Sequence, residues 1–477
     1  MQRRYHRRVA PQPEMLATSP QRAHRPWSVG TTRARRRGSP SPVPFVADAF
    51  AALVGLGLGA TIALVVAGET RGSLAAPGGV LIAGGRLTGF VGTYLMLVMI
   101  LLIARMPWLE RAVGQDALVR WHRRIGGWPL VLIALHVVLI TLGYAQLQKV
   151  GGLHQLWTFL TTYPDVLAAA AGFCLLILAG VTSIRYARRR LQYETWWVVH
   201  LYTYLALALA FAHQIVTGGA FIGHPLTRAI WIVLWSATAG VVIACRIVIP
   251  VVRNLRFRLR VVSVHQEAPG VYSLVCSGRG LSRLAVSGGQ FFQWRFLAQG
   301  LWWHAHPYSL SALPQPPFLR VTVKGLGDHS AALAQLRPGT RVLIEGPYGA
   351  FTQHARTTEK VALIGAGVGI TPLRALLEDL PASVDATVVV RASKPDDIVL
   401  RHELKELVRQ RDGDYHEVVG SRHKIRFDER ALRKLVPDID GRDVYICGPG
   451  GFNEMVLAYA AQLGVPREHI HQEAFSF

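Results

Sequence analysis

Six long apolar runs fill the first half of the chain, at about 45–67, 88–104, 125–147, 165–184, 195–217 and 229–250. Each is near the ~20 residues that a helix needs to cross a ~30 Å hydrocarbon core. One such run fits a buried core helix. Six in succession fit membrane spans, because in lipid a helix satisfies its own backbone. The expectation is a six-helix transmembrane bundle over 45–250, with the lipid bilayer as its partner.

Charge then orients the bundle. The net charge is +23 over 477 residues, but it is unevenly spread. Residues 1–44 carry +9, residues 45–260 carry +12, and residues 261–477 only +2. With the N-terminus inside, the inner segments hold 24 basic residues and the outer loops hold 4, namely Arg71, Arg86, Lys149 and Arg228. The positive-inside rule then gives a multi-pass plasma (inner) membrane protein with both termini cytoplasmic. The excess charge is thereby a topology marker, and no nucleic-acid partner is expected. Residues 1–44, rich in Arg, Pro and Ser without an apolar period, read as a disordered basic cytoplasmic arm. Four cysteines in 477 residues exclude a disulfide scaffold, and their spacing matches neither a zinc nor an iron–sulfur site.

From 257 the pattern changes to short β-type runs (LRVVSV, VYSLVC, QFFQWRF, LRVTVK, RVLIEG). An antiparallel β-barrel over 257–358 is expected. From 359 to 477, strand-like KVALIG, ATVVVR, YHEVVG and DVYICG alternate with helical stretches. That is the pattern of an α/β domain with a parallel sheet.

Four histidines fall inside the spans. His122 and His136 share the third, and His200 and His213 share the fifth. Spacings of fourteen and thirteen residues separate each pair by roughly 20 Å along its helix. Two facing pairs at two depths are what two stacked bis-histidine haems require. The other reading is that each is a lone polar residue bonded to a neighbouring helix. On an ideal helix fourteen residues fall about 40° short of whole turns and thirteen about 140°. The fifth span therefore needs curvature, a bulge or offset haems, and Pro129 can kink the third.

The C-terminal half carries the remaining motifs. In His306-Pro307-Tyr308-Ser309-Leu310-Ser311 a Tyr face can stack on an isoalloxazine and the hydroxyls can bond ribityl or phosphate oxygens; a turn with a core Tyr is the plain alternative. Lys324 precedes Gly327 and Ser330, where Ser330 is either a pyrophosphate seat or an N-cap. Val361–Pro372 reads strand, Gly-rich turn, helix start, with Gly365, Ala366, Gly367 and Gly369 in the turn and Ile370 where a third fingerprint Gly belongs. The next strand ends in Arg391, Ser393 and Lys394 instead of an acid, and Ser421-Arg422 follows the strand after. Basic groups in place of the ribose-binding acid favour a 2′-phosphate, hence NADPH. Cys447-Gly448-Pro449 closes a strand where ligands bind in such sheets. Phe475 and Phe477 end the chain and can cover a flavin.

In combination the paired histidines, HPYSLS, EGPYG, GAGVGITP, CGPGG and the aromatic tail resemble the ferric reductase and NADPH oxidase superfamily over about residues 50–477. The last five also resemble the ferredoxin–NADP reductase fold. The resemblance implies haem ligation by His122, His136, His200 and His213. It implies FAD contacts from His306, Pro307, Tyr308, Ser309, Lys324 and Ser330, to which Ser311 and Gly327 are added here. It implies NADPH contacts from Gly365, Gly367, Gly369, Thr371 and Pro372. Ala366, Arg391, Ser393, Arg422, Gly448 and Pro449 complete the expected cofactor set. Cys447 beside the nicotinamide, Phe475 over the flavin and Ser309 form the expected catalytic group. The implied function is electron transfer from NADPH through FAD and two b-type haems to a small-molecule or metal acceptor, ferric iron or O₂. The alternatives are a non-catalytic haem subunit or sensor, or a reductase of a quinone or periplasmic protein.

Overall fold

The computed structural model describes residues 44–219, 221, 224–421 and 425–474. The expected arm, Arg422, Phe475 and Phe477 lie outside these residues. Six helices are long and apolar enough to cross a membrane: Phe45–Ala67, Gly79–Ile103, Ala117–Gln148, Val166–Ser183, Thr195–Thr217 and Pro225–Phe257. The second span starts earlier than its apolar run because Gly84, Gly85 and Arg86 dilute its first turns. Arg86 is met by Glu69 at 2.9 Å. The sixth passes through a π-helical turn, Ala244–Val248, into the helix Ile249–Phe257. Pro250 follows that turn, and its missing N–H cannot continue the regular ladder.

Spans two and three pack closely, as do spans four and five. Glycine permits the approach. A Cβ on Gly85 would lie 2.7 Å from Ile140, and one on Gly172 would lie 2.6 Å from the Ala206 carbonyl oxygen. An additional helix, Gly152–Thr162, follows the third span. It is held by edge-to-face contacts of Phe159 with Tyr144 and Tyr163.

The C-terminal half begins with β1 (Arg260–Ala268), β2 (Val271–Ser277), β3 (Phe291–Phe296), β4 (His306–Ser309), β5 (Phe318–Lys324) and β6 (Val342–Tyr348). These form two three-stranded antiparallel sheets, β1-β2-β5 and β4-β3-β6. Single bridges, Arg260 to Arg341 and Leu310 to Val321, join them. The expected barrel is thus two sheets wrapped on one core rather than one continuous ladder. Its short fourth strand and the register shifts in β1 and β3 limit the pairing. Phe292, Trp294, Leu274, Leu319 and Val321 fill that core.

Next come β7 (Lys360–Ala366), β8 (Asp385–Ala392), β9 (Asp414–Val419), β10 (Asp443–Gly448) and β11 (Ile470–Ala474). They make a parallel sheet in the order β11-β10-β7-β8-β9. Strand order reverses between β7 and β10, which opens a crevice at their carboxyl ends. The sequence reading did not anticipate β11. A buried clasp joins the two sheet regions: Arg320 of β5 meets Glu403 at 2.7 Å, and Arg374 meets Glu403 at 2.8 Å.

Candidate functional site

The imidazoles come first. His122 and His200 bring their ring centres to 6.1 Å, at 75° to one another. Two rings that ligate one metal from opposite sides stand about 6 Å apart, from two bonds of about 2 Å and two ring half-widths of about 1 Å. His122 Nδ1 lies 3.1 Å from the Met99 carbonyl oxygen, and His136 Nδ1 lies 2.7 Å from that of Gly85. A carbonyl only accepts, so Nδ1 carries the proton in both rings and Nε2 keeps its lone pair. His200 Nδ1 is 3.4 Å from Ser183 Oγ. That hydroxyl donates to Ala179 at 2.6 Å and so serves the imidazole as an acceptor. Trp196 stacks on His200 at 5.1 Å and donates to the same Ser183 oxygen at 3.2 Å. His213, on the fifth span, has its Nδ1 buried with no hydrogen-bond partner among the described residues. A Cβ on Gly89 would stand 2.5 Å from His136 Nδ1, so glycine there makes room for the ring. The structure therefore brings together the rings of His122 and His200, one of the two pairs read from the sequence. The residues fit a metal-centred group between His122 and His200.

The second constellation surrounds β4. Tyr308 stands 5.9 Å from the His306 ring, and its carbonyl accepts the Trp294 indole N–H at 3.0 Å. Burial pushes the Tyr308 hydroxyl up to about 12. Ser309 Oγ, His306 Nε2 and His304 Nδ1 are buried without partners. Such orphaned polar atoms suit the oxygens of a flavin dinucleotide. His304 and His329 add imidazoles to the group, with their rings 4.3 Å apart. Burial lowers the His306 pKa, and the neighbouring His329 and His304 add to that. The sequence analysis passed over His304 and His329 although each is a near neighbour of a motif. Two of its expected flavin residues are engaged elsewhere. Ser311 is fully buried and accepts from Arg320 Nε at 3.1 Å. Ser330 Oγ accepts from the backbone N–H of Leu326 at 2.9 Å and of Gly327 at 3.1 Å; the N-cap is Gly327, and Ser330 bonds back to it from the third helical position. Pro307 is exposed on β4.

The third lies at the crevice of the parallel sheet. A cavity of about 1110 Å³ is lined by Ala366, Gly367, Arg391, Ser393 and Pro449, and also by Lys324 of β5. Arg426 and Arg430, which sequence reasoning missed, line it too. Gly367 has φ +57, a conformation open to glycine. Gly369 must be glycine for another reason: a Cβ there would stand 2.3 Å from the Cys447 carbonyl oxygen. Gly365 pairs with Cys447 across β7 and β10, and Gly448 lies against Phe452. Thr371 is buried and donates to Val368 at 2.9 Å, while Pro372 is buried in the helix Ile370–Asp379. Cys447 is fully buried, and burial, followed by the Glu473 carboxylate, raises its thiol well above the usual range.

Comparison with known proteins agrees with this division. Residues 88–211 match the ferric reductase like transmembrane component family, and residues 363–457 match the oxidoreductase NAD-binding domain family. A ferredoxin–NADP reductase B of Sorangium cellulosum is 30% identical over 187 residues, 35% of this chain and 77% of that protein. A flavohemoprotein of Bacillus subtilis is 30% identical over 192 residues, 36% of this chain and 47% of that protein. A glycine betaine monooxygenase reductase subunit of Chromohalobacter salexigens is 27% identical over 185 residues, 35% of this chain and 50% of that one. The chain thus spans about half the length of these last two. Among solved structures, the FAD/NAD-binding domain of a Vibrio cholerae nitric oxide dioxygenase aligns with a TM-score of 0.38 and 24% identity, over 46% of this chain and 99% of that one. The chain thus joins a ferric reductase-like transmembrane domain to a ferredoxin–NADP reductase-like module for FAD and NAD(P)H, the fused oxidoreductase architecture that the sequence resembles.

Proposed function

We propose that this protein carries electrons from cytoplasmic NADPH, through FAD and two b-type haems, to an acceptor on the opposite side of the membrane, ferric iron or O₂. When bound, FAD would convert a hydride into single electrons, and the haems would relay them. The observation that carries this reading is the His122–His200 pair, at 6.1 Å with Nδ1 of His122 committed to a carbonyl.

The chain's own residues have separable roles. His122 and His200 hold the inner site, and His136 and His213 the outer one. Met99, Gly85 and Ser183 orient three of these rings through Nδ1. A group held by an imidazole from each of two helices would pass electrons to the acceptor without binding it directly. The two three-stranded sheets act as the flavin barrel. Tyr308 backs the isoalloxazine, and Ser309 Oγ supplies a hydrogen bond. Cys447, buried at the end of β10, presents a small side chain beside the nicotinamide. Arg391 and Ser393, with Arg422, receive the 2′-phosphate, and Arg426 and Arg430 add positive charge to the same cavity.

His200→Leu tests the assignment. It should remove the inner haem's share of the b-type absorbance while flavin stays bound; an unchanged haem spectrum would reject the ligand set. An acceptor panel then separates the outcomes. NADPH-driven ferric citrate reduction insensitive to superoxide dismutase marks a ferric reductase, and dismutase-sensitive cytochrome c reduction marks an oxidase. No NADPH consumption with any acceptor rejects the proposal.

A further inference from the structure

A cavity of about 250 Å³ lies where the membrane bundle meets the flavin-side sheets. Its wall has three origins. Arg105 follows the second span, Arg253 and Arg256 stand on the helix Ile249–Phe257, and Arg283 ends the turn Leu281–Arg283. Four guanidinium groups thus line a cavity with one carboxylate, Glu345. That carboxylate is already engaged. It takes Arg105 at 2.8 Å, Arg246 at 3.4 Å and the Tyr348 hydroxyl at 2.8 Å. Arg253 donates to the Gly346 carbonyl. Arg256 and Arg283 are exposed, and no side-chain hydrogen bond or ion pair holds them among the described residues. Glu110 stands behind this wall, near Arg105 and Arg246. Burial, the largest influence, pushes its carboxyl up to about 7, which weakens it as a competing anion.

The remaining wall is apolar. Ile249, Pro250, Val252 and Leu284 line it. Val248, Val251 and Leu255 are exposed on the same stretch of helix, 48–65% accessible, and continue the apolar surface toward the bundle. A cationic floor beside an apolar wall, at the end of membrane spans, matches a phosphate joined to acyl chains.

We propose that this cavity binds the headgroup of an anionic glycerophospholipid from the adjoining leaflet, with Arg256 and Arg283 on its phosphate and a tail along the apolar wall. Arg256 belongs to the membrane-derived helix and Arg283 to the flavin-side region. A phosphate between them bridges the seam across which the proposed electron transfer passes. The bilayer supplies this ligand at high local concentration, which a soluble anion does not match.

The test uses the full chain, loaded with flavin and haem, in nanodiscs of phosphatidylcholine with or without phosphatidylglycerol. Lipid retained after detergent washing is measured by mass spectrometry, and hydrogen exchange is followed over 249–257 and 281–285. The wild type should retain phosphatidylglycerol and gain protection in both segments. The double variant R256Q/R283Q should lose about tenfold or more in apparent affinity, with flavin content and the haem spectrum unchanged. Equal retention by the double variant overturns the proposal. So does displacement by inorganic phosphate, which indicates a free-phosphate site, or by added FAD, which assigns the cavity to the cofactor. Lipid retention is read without turnover, so failure of the electron-transfer reading leaves a separate signature.

Discussion

The membrane bundle and the reductase module bury their polar atoms in opposite ways. In the bundle, hydroxyls turn back on their own helix. Thr61, Thr88, Thr141 and Thr238 each donate to the carbonyl four residues earlier, at 2.7–3.0 Å. Tyr94 and Trp231 instead bond to a neighbouring helix, and so do His122 and His136, which reach it with Nδ1 and leave Nε2 spare. In the module, charge closes on charge. Arg374 is fully buried against Glu378 and Glu403, and Arg320 meets Glu403 through both terminal nitrogens at 2.7 Å. Spare polar capacity in the bundle therefore marks proposed ligand positions, whereas in the module the buried charges hold two sheet regions together. A bundle substitution should be read in cofactor occupancy, and a clasp substitution in stability.

The largest expected effect falls on the clasp. Glu403→Ala leaves Arg320 and Arg374 without their shared carboxylate. Removing one side of a buried ion pair costs about 3–5 kcal/mol. Denaturant unfolding followed by tryptophan fluorescence should show the module losing its midpoint, while haem absorbance in the same sample holds. If both signals move together, the two halves are one cooperative unit and the contrast fails. The pH dependence has a definite sign. Burial raises the Glu403 pKa, but hydrogen bonds and charge from Arg320 and Arg374 outweigh it, and the net direction is down. A depressed carboxyl contributes stability above its unfolded pKa and loses it as pH falls through the folded value. The gap between wild type and Glu403→Ala should thus narrow in acid.

The seam between the halves behaves differently. Glu110 is buried with Oε2 unpartnered, and burial pushes its carboxyl up to about 7. Its folded pKa lies above its unfolded value, so folding takes up a proton. Wild-type stability then declines as pH rises from the ordinary carboxylate range to about 7, and levels off above. The shift sets a ceiling of about 3 kcal/mol on that decline. Glu110→Gln should flatten the profile. Unfolding midpoints at about pH 5 and about pH 8 decide it, and parallel profiles for the two proteins refute the assignment.

The sequence made the spans legible because lipid demands long apolar runs. It also made the parallel sheet legible, because strands buried on both faces read as continuous Val and Ile. Short-range motifs placed Gly367 and Arg391 beside their cavity. Long-range pairing left no such trace. Arg105 and Glu345 are far apart in sequence, and nothing local in either segment announces their 2.8 Å contact. The strand β11 carries little hydrophobic signal, because IHQEA is polar at its three central positions and sits at a sheet edge. Ser311 and Ser330 were read through their motif, but a nearby guanidinium and two backbone N–H groups claim them. The unequal histidine spacings resisted an ideal-helix treatment. The fifth span, where the mismatch is larger, runs unbroken as Tyr193–Thr217, so the expected bulge is not seen there; the third is punctuated at Gly126, between Gln115–Ile125 and Gly127–Gln148.

The smallest effect is expected at the nucleotide cavity, where the module departs from its own rule of closed charges. Arg391 lines that cavity and also donates to the carbonyls of Ala392 and, at 3.1 Å, Val418. The two roles separate in kinetics. A charge-assisted bond to a 2′-phosphate is worth about 1.5–3 kcal/mol. Arg391→Ala should therefore raise KM for NADPH about tenfold or more, with NADH nearly unaffected. A merely structural Arg391, tying β8 to β9, would instead lower the unfolding midpoint and weaken both nucleotides alike. Parallel losses for NADPH and NADH would remove the phosphate role and place Arg391 with the closed charges of the clasp.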